Sequence, residues 1–312
     1  MRRSNFAVGS VVAIASLLSA GRAEAWCRTT TNRDFIASVD QPCDTDGRVL
    51  YWASRCVGYS VQRDASSQVD LDTARKLAAR AFDEWTSLDC PADPIACGGP
   101  SVGKPSMKVQ DLGPVSCNCV EYNQKAGNAN VIMFRDEGWV DCNGEPKKDA
   151  DTVIALTTVT FSTDSGEIFD ADIEINTANV QVTTSESAVV FDLWSVLTHE
   201  TGHFLGLAHT QPSNTAATMY PRYEPGKTFM RDPSDDDRCA MCAAYPTGRS
   251  TICDSTPRRG LALDCEGRDP AAAKKGCQCS TPGAGEDGPT ALVALGALAL
   301  VGATRRRRSS RR

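Results

Sequence analysis

Residues 192–209 read DLWSVLTHETGHFLGLAH, and they hold all three histidines of the 312-residue chain. Asp192 can cap a helix by accepting from the free N–H groups of its first turn. The helix is expected to end at Gly206, because glycine takes the left-handed conformation that stops a helix and turns the backbone. His199 and His203 stand four residues apart, which places them on one helical face one turn apart. Two imidazoles so placed can grip one tetrahedral Zn²⁺ at about 2.0–2.1 Å each. A chain that turns back at Gly206 lets His209 close a third position and leaves the fourth open for water. Zinc lowers the pKa of such a water from 15.7 to about 7. Glu200, beside the first ligand, is the candidate general base, able to take that proton and pass it to a leaving amine. These parts suffice to hydrolyse a peptide bond without a covalent intermediate. The plainer alternative is three satisfied core or surface histidines. It does not explain why all of them fall within eleven positions.

Working outward, Arg48–Gln62 is rich in β-branched and aromatic residues and reads as one or two strands. Asp70 or Asp72 can cap a helix reaching about Leu88, with Leu71, Ala74, Leu77, Ala78, Ala81, Phe82 and Trp85 at helical spacing. Short strands are expected at Ser106–Gln110, Asn130–Arg135, Val153–Phe161 and Ala171–Asn176. In the last of these, Ile173 and Ile175 alternate with Asp172 and Glu174. Ser234–Tyr245 reads as a final helix. That order describes an α+β or α/β domain with two long helices under a mixed sheet and a small helical end.

The pattern HExxHxxGxxH resembles the zinc signature of the metzincin peptidases, and HETGHFLGLAHT is closest to its matrixin form. Ala217–Tyr223 (ATMYPRY) is similar to the methionine turn of the same family. The resemblance covers roughly Arg48–Pro246. It implies a metzincin-like α+β fold with a mostly parallel twisted sheet. It implies that Met219 forms an apolar floor under the imidazoles and that Pro221–Tyr223, with Pro221 and Tyr223 as candidate lining residues, forms a wall of the substrate pocket. It also implies that Ser234–Asp237 opens the C-terminal helix. A sheet edge beside the substrate is implied too, and Val153–Phe161 is the candidate, able to bind peptide as an added strand; a buried central strand is the competing reading.

Three departures stand out. No PRCGxPD-type cysteine switch lies between Trp26 and Arg48, which argues against a long inhibitory propeptide and for activity on export. No histidine remains for a second, structural zinc. Pro221 occupies the place where a tyrosine ligand would follow the methionine, so Tyr220 is not expected to ligate. Asp170, Asp172 and the Asp235–Asp237 run offer oxygen ligands that Ca²⁺ could take, although solvated loop charge is the favoured reading.

The ends have a different character. Residues 1–25 carry Arg2 and Arg3, an apolar run from Phe6 to Ala20 and the exit Ala23-Glu24-Ala25, the pattern of a secretory signal peptide. Residues 281–312 hold a Gly/Pro-containing spacer, an apolar run from Ala291 to Ala303 and the arginines Arg305–Arg308, Arg311 and Arg312. With Cys277 and Cys279 before it, this end resembles the C-terminal sorting tails of myxobacterial surface proteins, which implies trimming near the cysteines and delivery to the cell surface by export and sorting machinery. A plain membrane anchor is the alternative. Residues 26–47 form a polar lead, 48–246 the catalytic domain, and 247–280 a Cys/Pro/Gly-rich appendage or stalk.

Without its ends the chain carries 24 basic and 36 acidic side chains, net −12. No basic surface remains to suit nucleic acid. All 14 cysteines follow the signal segment, and an even number in an exported chain argues for disulfides. Cys239 and Cys242 are expected to pair with distant partners rather than to hold a metal. The expectation is a monomeric, exported or surface-displayed zinc endopeptidase acting on protein or peptide. A non-catalytic zinc-containing surface binding or adhesion protein is the alternative.

Overall fold

The computed structural model describes residues 26–35, 43–91, 97, 102–264 and 290–300. The signal-peptide reading of residues 1–25, the cysteines at 277 and 279 and the arginine cluster lie outside them. Strand β1 (Cys56–Val61) is buried along its whole length. Helix α1 (Leu71–Thr86) starts on Asp70, whose carboxylate accepts from Thr73 N–H at 3.0 Å. Ala74, Ala78, Ala81, Phe82 and Trp85 are its buried face. Four strands follow: β2 (Lys108–Asp111), β3 (Val131–Phe134), β4 (Val153–Ser162) and β5 (Ile168–Ile175). Short strands β6 (Val182–Thr183) and β7 (Phe191–Asp192) pair in parallel and lead into helix α2 (Leu193–Phe204). Strand β8 (Arg222–Tyr223), helix α3 (Asp235–Ala244) and strand β9 (Thr290–Leu300) complete the order.

Five strands make the body of the sheet in the order β2-β1-β3-β5-β4. Neighbours are parallel up to β5, and β4 returns antiparallel beside it. The sheet is therefore mixed and mostly parallel, as expected. Both long helices lie on one side of it and pack on each other. Trp85 Nε1 donates to the Thr198 carbonyl at 2.8 Å, and Phe82 meets Phe204 edge-on at 5.0 Å. Trp52 closes the same core by donating from its indole to the Phe204 carbonyl at 2.8 Å.

Disulfides fasten the periphery. Cys239 and Cys242, one turn apart on α3, reach Cys97 and Cys90, as the spacing suggested. Cys56 on β1 joins Cys253, so the segment after α3 is laid along the sheet, where Arg249 also donates to the Trp52 carbonyl at 2.8 Å. Cys27–Cys43 and Cys119–Cys142 close two shorter loops.

Two sequence expectations are corrected. Asp170 and Asp172 are not solvated loop charges. They lie on β5 and are 2% and 1% exposed, with Glu174 fully buried beside them. The alternation that marks a half-exposed strand holds, but the acidic face is covered. Glu174 is gripped by Arg135 at 2.6 Å and by Lys147, and Asp172 accepts from the Val131 and Glu121 N–H groups at 2.8 and 3.2 Å. The second correction concerns β4, the candidate for the sheet edge beside the substrate, for which a buried central strand was the competing reading. It is the last of the five strands, but residues 290–300 pair antiparallel along its outer side as β9, and β8 pairs in parallel with the far side of β9.

Candidate metal centre

The centre is assembled by one helix, one bend and one loop. Helix α2 is buried on every side, so its polar side chains are either satisfied or built for a purpose. Asp192 caps it, accepting from Ser195 N–H at 2.9 Å, and is itself held by Arg231 at 2.7 Å. The helix ends as predicted: Gly206 has φ +84°. A Cβ there would also stand 2.9 Å from the Leu50 carbonyl oxygen, so both the turn and the close approach require glycine.

The bend brings His199, His203 and His209 together. One ring nitrogen from each lies within 4.8 Å of the other two, and the ring centroids are 4.7–5.3 Å apart. His199 Nδ1 faces the Thr218 carbonyl at 2.6 Å, and His203 Nδ1 faces the Leu207 carbonyl at 2.8 Å. A carbonyl only accepts, so both rings carry their proton on Nδ1 and present the Nε2 lone pair. The Nε2 atoms of all three histidines are buried and have no hydrogen-bond partner. Burial holds all three imidazoles below their ordinary pKa, His203 at about 4, and each positive charge would repel the others. Three neutral, convergent, unsatisfied imidazole nitrogens are the donor set that a tetrahedral Zn²⁺ takes with one position left over.

Glu200 lies in the next helical position and is fully buried. Its Oε2 accepts from the Thr157 hydroxyl of β4 at 2.5 Å, while Oε1 has no partner. Burial pushes its carboxyl up to about 8. A cation in the histidine cluster would act the other way and favour the ionised form.

Beneath the cluster, Met219 is 2% exposed. A Cβ on Gly202 would stand 2.3 Å from Met219 Sδ, so this glycine admits the methionine against the helix. The turn is held by Asp237, a member of the acidic run that the sequence alone reads as solvated charge. Asp237 is buried, caps α3 in a reciprocal box with Ser234, and accepts from Thr218 N–H at 2.7 Å and Met219 N–H at 3.1 Å. Burial raises its carboxyl, against the hydrogen bonds that favour the ion. A continuous path therefore runs from the α3 cap through Thr218 to the His199 ring. The Ser-x-x-Asp spacing signalled the cap, but nothing local signalled its second role. Asp235 is exposed, and Asp236 accepts from Thr210 at 2.7 Å and Asn214 at 3.1 Å.

The other expected site residues fall nearby. Pro221 is half-buried and Tyr223 fully buried. The Tyr223 hydroxyl accepts from Asp192 N–H at 3.1 Å and donates to the Lys227 carbonyl, and burial pushes it up to about 12. Tyr223 thus ties strand β8 to the start of α2.

Residues 121–246 match the family model of the matrixins, a zinc metallopeptidase family, and this span contains the histidines, Glu200, Met219 and α3. No curated protein matches the chain.

Proposed function

We propose that the matrixin-type region is the catalytic domain of an exported zinc endopeptidase, with His199, His203 and His209 as ligands and Glu200 as general base. The observation that carries this reading is the set of three buried imidazole Nε2 atoms without partners, gathered within 4.8 Å at the bend after α2. Leaving three such groups unsatisfied would cost several kcal/mol of desolvation unless a ligand takes them.

A zinc ion bound there would polarise the scissile carbonyl and acidify an attacking water. The protein's own groups do the rest. Thr157 fixes one oxygen of Glu200, so the other is presented in one orientation. That oxygen takes a proton from the attacking water and returns it to the departing amine. The Thr218 and Leu207 carbonyls hold the His199 and His203 rings in the tautomer that ligates. Met219 and Gly202 close the floor, excluding water from that side. Pro221 and Tyr223 shape the wall on which the substrate side chain rests.

Export is supported by the charged, apolar and A-x-A pattern of residues 1–25 and by the disulfides, which persist in oxidising surroundings. The test is direct. Purified protein should carry one zinc per chain, cleave a denatured protein and stop when chelated. Glu200→Ala should keep the zinc and lose the cleavage. Normal turnover by that variant would refute the assigned base.

A further inference from the structure

Strand β9 crosses the candidate site in a way that a sheet has no need of. Its eleven residues, Thr290–Leu300 (TALVALGALAL), run antiparallel along β4 from Ser162↔Thr290 to Val153↔Ala299. At the far end the same strand runs parallel to β8, pairing Ala299 with Arg222 and Leu300 with Tyr223. The middle of the strand faces the chemistry. Leu295 is the register partner of Thr157, the residue whose hydroxyl holds Glu200. One extended segment is thus held between the sheet edge and the loop strand that follows the methionine turn, across the site where a peptide would have to lie.

We infer that residues 290–300 are an intramolecular peptide ligand of the substrate groove, which occludes it until the segment is released. The inference rests on the endopeptidase reading for its functional meaning, though not for its geometry. It gives β4 a definite role: the edge takes an extended backbone by strand addition, which every peptide can supply. The segment is uncharged and built of Ala, Leu, Val, Gly and Thr. Such a ligand contributes ladder hydrogen bonds, and its composition indicates that the groove should favour extended, uncharged, small-to-medium aliphatic peptides.

The tether makes occlusion effective. Residues 265–289 join the segment to the body and span at most roughly 80–90 Å when extended, ample reach for a site on the same domain. A tethered segment acts at an effective concentration on the order of 1 mM. If it binds like an ordinary substrate, at about 0.1 mM within the usual KM range, the site is filled about ten times out of eleven. Release should therefore raise the rate on a dilute external substrate about tenfold. No amino-terminal inhibitory segment is needed for such control.

The full chain provides the test. In one form a site for a specific endoprotease is placed between Cys279 and Thr290 and cut after folding. In a second, Leu292→Pro and Leu295→Pro are combined; these have opposite strand parity, so at least one removes a ladder donor facing β4. Amide hydrogen exchange over Val153–Ser162 is measured beside hydrolysis of a quenched peptide. The expected result is slow exchange in β4 of the intact chain, exchange at least tenfold faster in the proline form, hydrolysis about tenfold faster after the cut, and reversal of both by a synthetic 290–300 peptide. Equal β4 exchange in all forms would overturn the inference. If exchange responds as expected while no form hydrolyses peptide, the occupancy stands and the endopeptidase reading fails instead.

Discussion

Helix α2 with the bend after it gathers two buried histidines and a half-buried third whose Nε2 is inaccessible, and strand β5 buries three carboxylates. The two groups are treated in opposite ways. On β5, Glu174 is paired with Arg135 and Lys147, and Asp172 takes two backbone N–H groups. Asp170 keeps one oxygen without a partner, and burial together with Asp172 and Glu121 holds its carboxyl well above the usual range. That region answers most of its own polar groups from within the protein. The histidines satisfy only their Nδ1 side and turn three unanswered lone pairs to one point. Burial alone does not mark a site. Convergent groups that the protein declines to satisfy do.

The sharpest way to separate the two regions is to remove one group from each. Glu200→Gln should lower kcat about 10²–10⁴-fold with zinc content and melting temperature nearly unchanged. Steady-state kinetics beside metal analysis checks this; loss of zinc would make Glu200 structural. Arg135→Met should do the converse. It leaves Glu174 buried with one partner fewer and should cost about 3 kcal/mol of stability, the low end for a broken buried pair because Lys147 still holds the other oxygen. Denaturant unfolding reads the loss, and activity per folded molecule should not change.

pH separates the buried imidazoles from the buried carboxylates by sign. His203 has an ordinary value of 6.5 and about 4 in the fold. The unfolded chain therefore binds a proton that the metal-free fold refuses. Stability falls as pH drops from 6.5 towards 4, by about 3 kcal/mol from this residue alone. Glu200 runs the other way. Its carboxyl is raised from 4.5 to about 8, so its contribution is complete below 4.5 and is lost as pH climbs towards 8. The buried Asp170 and Asp172 have the same sign. Melting of the metal-free protein between pH 4 and 6.5 should be flatter for His203→Asn than for the natural chain; equal slopes would contradict the buried neutral imidazole. The smallest effect is expected at the link between the regions of α3 and the centre. Asp237→Ala frees the Thr218–Met219 turn and should weaken zinc binding about 10–100-fold, as loss of a partner behind a ligand does. Competition with a fluorescent chelator measures it.

What the sequence disclosed follows the range of the interactions. The helix cap at Asp192, the histidine spacing on α2 and the bend at Gly206 are local, and each is present where residue order alone placed it. The same holds for α1 and its Asp70 cap, and for the strand cores. The strand order, with β4 antiparallel beside β5, depends on packing and was legible only as a mixed sheet. The role of Asp237 is not legible locally because its partners lie 18 and 19 residues back, where no periodicity connects them. The burial of the β5 carboxylates is not legible locally because their partners, the residue 121 N–H for Asp172 and Arg135 and Lys147 for Glu174, lie far along the chain. The apolar run at 290–300 has a composition that suits a membrane-directed segment as well as a strand, and its pairing with β4 and β8 depends on partners more than a hundred and about eighty residues back, which residue order does not reveal.

The central claim is that three imidazole Nε2 atoms, brought together by the bend at Gly206, grip one divalent ion. Zinc-edge X-ray absorption on the purified, folded protein tests it most directly. One zinc per chain with three nitrogen ligands at about 2.0–2.1 Å and a single oxygen is the predicted result. A folded protein without zinc, or zinc bound through sulfur with the histidines free, would contradict it.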